Sequence, residues 1–203
     1  MDPEVLRTAR AAVLGLDTTT GSPPRIVAAA VYHVDAGVIV GGPFCYWSAV
    51  DVPRHEVPAR HWPNLRHAPA WPETAGRLVE VIADRVLVMH EPDRWNILRR
   101  HLPDWKPAVV LTRELAVRTW PGLADYSLGS IGVEPGGPGL GPGAVVEAKV
   151  VALLVGTLVR TSSPARARSV GRAGQVRRRA GPPDRAAAGT ASRESDQPAG
   201  SEG

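Results

Sequence analysis

Cysteine is nearly absent: Cys45 stands alone, so no internal disulfide can form. That fits a cytoplasmic location. Lysine is scarce too, with Lys106 and Lys149 set against 22 arginines. Together with abundant Ala, Gly, Pro and Val, this bias is that of GC-rich coding. The arginine excess by itself is therefore poor evidence of a nucleic-acid ligand. There is no long apolar run. The most apolar stretch, Val150 to Val159, is too short to cross a bilayer and reads as a core helix. The opening residues, MDPEVLRTAR, lack the basic-then-apolar order of a signal peptide, so no membrane partner is expected. Before Thr161 there is no net charge, since 16 basic residues balance 16 acidic ones. The whole net charge of +4 lies in the last stretch, where eight Arg face four acids. Global electrostatic steering of the folded part toward a polyanion is thereby excluded.

What is present divides the chain into three parts. Residues 1–10 read as a lead, residues 11–160 as one domain, and residues 161–203 as a disordered tail. The tail is rich in Arg, Ala, Gly and Pro and lacks aromatics. A role in tethering a protein partner is open to it, as is no defined role.

Within the domain, AAVLGLD (Ala11 to Asp17) is a buried-strand pattern ending at a polar turn. GSPP breaks the chain, RIVAAAVYHV (Arg25 to Val34) is a second strand, and Asp35 to Gly37 a hairpin turn. A third strand falls within Val38 to Val50. Val52 to Pro72 has no period and reads as an ordered loop or short helices. Helical spacing then marks Pro72 to Arg85, Asp93 to Leu102, Arg113 to Trp120 and Ala144 to Arg160, with a further short helix expected over Ala124 to Gly132. Short strands fall at Arg85 to His90 and Ala108 to Thr112. The order predicts an α/β fold: a three-strand antiparallel meander extended by parallel strands, flanked by helices.

Four local motifs fall in a telling order. Asp17-Thr18-Thr19-Thr20-Gly21 closes the first strand, ahead of Arg25-Ile26-Val27. Leu87-Val88-Met89-His90-Glu91-Pro92-Asp93-Arg94-Trp95-Asn96 follows a later strand. Thr112 to Ala116 and Tyr126-Ser127-Leu128 come next, and Pro142 to Ala148 opens the last helix. Across residues 11 to 160 the chain resembles the DnaQ-like 3′–5′ exonucleases of the ribonuclease-H-like superfamily, named DEDDh for four acids and a histidine. The resemblance implies a mixed sheet and two divalent cations, Mg²⁺ or Mn²⁺. It also implies action on single-stranded nucleic acid or its 3′ ends.

The chemistry of that family explains its acids. Two divalent ions about 4 Å apart repel by about 4 kcal/mol even in water, and clustered carboxylates offset this. A nearby histidine serves as general base. Matched residue by residue, Asp17 and Glu147 stand at two of the acid positions. Thr19 and Asn96 occupy the other two. Pro142 falls where the histidine would be. Asp93 and Glu91 are the carboxylates that could substitute as metal ligands. Thr18, Thr20, His90 and Trp62 are candidates to contact nucleic acid, with His90 more suited to supporting the motif. The resemblance thus implies a nuclease-type domain with weakened or lost catalysis. The alternatives are an active exonuclease with rearranged ligands, and a protein-interaction module.

Other signals read as structure. His55, His61 and His67 recur every six residues in a Pro-interrupted segment, which puts them on no common face. Glu134 to Gly143 is Gly-rich but follows no strand and lacks the Lys-Ser/Thr of a phosphate loop. Ser48 and Ser127 lie in no nucleophile elbow. At least four of the six tryptophans are expected in packing roles, leaving Trp62 and Trp71 for surface contacts.

Overall fold

A computed structural model describes residues 5–128 and 143–161. Five strands form one sheet in the order β3-β2-β1-β4-β5. They are β1 (Arg10–Thr18), β2 (Ile26–Asp35), β3 (Val38–Trp47), β4 (Val86–Met89) and β5 (Val109–Leu111). The helices are α1 (Val5–Thr8), α2 (Trp62–Leu65), α3 (Trp71–Ile82), α4 (Pro92–His101), α5 (Thr112–Thr119) and α6 (Ala144–Thr161), with 3-10 turns at Arg54–Glu56 and Ala59–His61. The β1, β2 and β3 strands pair antiparallel, while β1–β4 and β4–β5 are parallel. This is the mixed sheet that the element order predicts.

The central position of β1 accounts for its composition. Seven consecutive residues, Ala11 to Asp17, are buried, because strands flank it on both sides and helices cover both faces. Its side chains alternate between two cores. Ala11 and Val13 join Val88, Leu115 of α5 and Val151, Leu154, Val155 and Leu158 of α6. Ala12, Leu14 and Leu16 join Leu78 and Ile82 of α3 and Ile97 and Leu98 of α4. Gly15 is the exception that allows the layers to close. A Cβ there would lie 2.1 Å from the Ala144 carbonyl oxygen and 2.8 Å from the Ala148 nitrogen. Only a residue without a side chain lets β1 run this close to the backbone of α6.

The hairpin expected at Asp35 to Gly37 is present, with positive φ at Ala36 and Gly37, the backbone of a type I′ turn matched to strand twist. Two expectations are corrected. Ala124 to Leu128 form bends and a turn rather than the start of a helix; Tyr126 and Ser127 are held by local bonds to Trp120 and Asp125 instead. Trp71 does not sit in the irregular loop. It opens α3, donates its indole N–H to the His101 carbonyl at 3.2 Å, and packs against the second core. Trp95 and Trp105 pack on the same core and Trp120 on the first, the packing role expected of these three. The tail from residue 162, Pro142 and most of the Gly-rich loop lie outside the described residues.

Candidate functional site

The parallel strands β1, β4 and β5 end at one edge of the sheet, where open α/β sheets bind ligands. There β1 delivers Asp17 and Thr18, the β4–α4 junction His90 and Glu91, and α6 its N-terminus with Glu147. The β1–β2 register shifts between Asp17 and Thr18. Such bulges re-aim side chains, often beside sites.

Asp17 is buried, at 6% exposure, and its carboxylate is fully engaged. Arg60 donates to Oδ1 at 2.8 Å, His61 Nε2–H to Oδ2 at 2.8 Å, and the Ala144 backbone N–H to Oδ2 at 2.9 Å. The last bond satisfies an orphan donor at the start of α6, where the helix dipole favours negative charge. Burial alone would raise the Asp17 pKa. The bonds from His61, Ala144 and Arg60 outweigh it and hold the carboxyl at about 2. Gly143 makes the arrangement possible: a Cβ there would fall 2.5 Å from Asp17 Oδ2, and its φ of +127° suits glycine.

Glu147 lies one turn into α6. Its Oε2 accepts the Leu16 N–H at 3.4 Å. Burial lifts its pKa to about 7, against the pull of the Arg94 guanidinium and the Leu16 bond, with Asp17 and Glu91 adding to the rise. Arg94, from α4, also donates to Thr18 Oγ1 at 2.9 Å. Two arginines therefore stand among the carboxyls, Arg60 on Asp17 and Arg94 between Thr18 and Glu147.

The remaining candidates are placed as follows. Thr19 is buried, and its Oγ1 accepts the Arg25 N–H at 3.0 Å, tying the β1–β2 turn. Thr20 donates to the Glu56 carbonyl. Glu91 pairs with Arg113 at 2.9 Å. Asp93 and Asn96 are exposed on α4. His90 is corrected as a nucleic-acid contact. It is fully buried, with Nδ1 on Thr112 Oγ1 and Nε2 on the Tyr126 carbonyl, both at 2.9 Å, so no ring atom is free to meet a ligand. The role of His61 is also corrected. The spacing of His55, His61 and His67 means nothing as a set, yet His61 alone turns inward to Asp17. Arg60 and His61 are the residues that sequence reasoning missed.

A cavity of about 170 Å³ adjoins this cluster, lined by Asp17, Trp47, Arg60, His61 and Asn64 among others. The buried indole N–H of Trp47 has no partner among the described residues.

These residues do not fit a two-metal centre. Hard divalent cations need several free carboxylate oxygens in one place. Both oxygens of Asp17 already accept bonds, two of them from side chains that carry or can carry positive charge. Glu147 is held at a raised pKa of about 7 by burial. Among the described residues no group of three or more His, Cys, Asp or Glu could hold a metal.

An open mixed sheet in the order 3-2-1-4-5 with helices on both faces is a ribonuclease-H-like fold. Solved structures share it. A structure of Exonuclease X in complex with 5′ overhanging duplex DNA matches with a TM-score of 0.57 and 21% identity, over 75% of this chain and 92% of that one. Exonuclease I (apo) matches with a TM-score of 0.52 and 14% identity, over 80% of this chain and 45% of that one. No family model and no curated protein sequence matches. The likeness is one of fold. Among the described residues, no helix is long and apolar enough to cross a membrane.

Proposed function

We propose that this chain is a DnaQ-like exonuclease-family domain that binds single-stranded nucleic acid or its 3′ ends and has lost two-metal cleavage. The observation that carries the reading is the occupation of Asp17 by Arg60, His61 and the α6 N-terminus. A guanidinium supplies the positive charge that a divalent ion would bring, and it brings no activated water. Arg94 donates to Thr18 Oγ1 and pulls against the raised Glu147 pKa through space. Asp17 and Glu147 are then remnants of a metal site, with Thr19 and Asn96 at the positions of lost acids. Exonuclease X, a protein of like fold, has been solved with DNA, which supports a nucleic-acid ligand.

A second reading draws on one feature. Asp17 and Glu91 both raise the pKa of Glu147, so the three carboxyls feel one another. A working exonuclease using them with Mg²⁺ or Mn²⁺ requires Arg60 and Arg94 to leave.

Fluorescence anisotropy with labelled oligo(dT) and oligo(U), in Mg²⁺ and again in EDTA, tests the proposal. Binding that is indifferent to EDTA, with the probe left intact, is expected. Binding that needs the metal, or a shortened probe, favours the second reading. Neither binding nor cleavage leaves a protein-interaction module, with the Arg-rich tail as its tether.

A further inference from the structure

The segment that holds Asp17 has a second side. A groove of about 840 Å³, within the ~300–1,000 Å³ range of small-ligand sites, opens along residues 49–67. Arg54, Trp62, Arg66 and His67 line it together with apolar residues such as Val50 and Leu65, and none of its lining residues is a carboxylate. The folded part has no global positive field, and this groove gathers two arginines, Arg54 and Arg66, with no carboxylate in its lining.

Its chemistry is specific. The Arg54 guanidinium lies 3.8 Å over the Trp62 ring, a planar cation stacked on a planar aromatic. Trp62 Nε1 donates to the Val57 carbonyl at 3.2 Å, which fixes the indole in place. Arg66 and His67 are exposed and have no ion-pair partner among the described residues. Stacked planes beside the exposed Arg66 guanidinium suit a ligand of planar bases on a phosphate backbone. An acidic peptide would use the cations and leave the stacked pair idle. The groove is also continuous with the site along the chain: Arg60 and His61 hold Asp17, and Trp62 is the next residue.

We propose that this groove binds single-stranded nucleic acid, with bases stacking on the Trp62–Arg54 pair and phosphates meeting Arg66 and His67. The inference rests on the reading of the domain as a nucleic-acid binder and adds where the strand lies.

The test uses the full chain. Oligo(dT) and oligo(U) carrying 5-iodouracil are cross-linked by ultraviolet light, and the adduct is mapped after trypsin. Cleavage after Arg60 and Arg66 releases the peptide spanning residues 61–66, which should carry the adduct on Trp62. In anisotropy titrations, Trp62→Ala should weaken binding about fivefold or more and Trp62→Phe should restore most of it. Arg66→Ala, at an exposed position, should lower the salt slope by about 0.7. A preference between the two oligonucleotides decides DNA or RNA. Tight binding that Trp62→Ala and Arg66→Ala leave unchanged, with adducts elsewhere, overturns the groove and leaves the wider reading standing. No binding by the unaltered chain removes both. Poly-glutamate competing as well as oligo(dT) assigns the groove to acidic peptides and overturns the proposal.

Discussion

Glu147→Gln isolates the electrostatics of the site. Glu147 has an ordinary pKa of 4.5 when exposed and about 7 in the fold, raised first by burial. Because the folded pKa is the higher one, the native state binds more protons between those values. Stability therefore falls as pH rises through that window, and the full penalty applies above about pH 7. At 1.36 kcal/mol per pKa unit, the shift corresponds to about 3 kcal/mol. Water reaching this half-buried carboxyl trims it toward about 2 kcal/mol. Glutamine keeps the shape, can accept the Leu16 N–H, and cannot ionise. Urea unfolding at a series of pH values gives the comparison, read as a change in midpoint at constant m. Other titrating groups cancel in the difference between the two proteins. The variant should match the wild type near pH 4.5 and exceed it by about 2–3 kcal/mol near pH 8. A difference that is flat with pH, or that reverses, would refute the account of a half-buried carboxyl whose pKa burial raises.

Further outcomes follow from other contacts. Arg60→Ala should cost no more than about 1 kcal/mol in urea unfolding, since the Arg60 side chain is 40% exposed and Asp17 stays held by His61 and the Ala144 N–H. Gly15→Ala sets a methyl against backbone atoms of α6, and thermal unfolding should report a loss of about 3 kcal/mol or more. His90→Ala removes two buried bonds and should destabilise by about 3 kcal/mol, while oligonucleotide affinity in anisotropy stays unchanged. The Asp17 pKa is depressed from 3.8 to about 2. Its contribution should be complete above about pH 4 and lost as pH falls toward 2, which acid unfolding of Asp17→Asn against wild type can read.

The sheet was legible because its information is local. Short apolar runs, the Asp35–Gly37 turn and helical spacing after Pro72 each lie within a dozen residues, and they point to a meander extended by parallel strands. Asp17 could be placed because a strand end needs only the strand. The occupants of Asp17 could not be. Arg60 and His61 reach it from 43 and 44 residues away, out of a segment with no period and six-residue histidine spacing that points nowhere. The one clue in the sequence was a basic doublet directly before Trp62, and nothing local says that it turns inward. Burial of His90 was equally hidden, since its partners Thr112 and Tyr126 come from later elements. The expected helix at Ala124 gave way to side-chain and backbone bonds that hold Tyr126 and Ser127 in turns.

The central claim is that arginine and histidine have taken the carboxylate that a metal would need. Its most direct test is degradation of end-labelled single-stranded DNA and RNA in Mg²⁺ and in Mn²⁺, with Asp17→Ala as control. Intact substrate, the same for wild type and variant, is the predicted result. Robust degradation by the wild type that Asp17→Ala abolishes would contradict it.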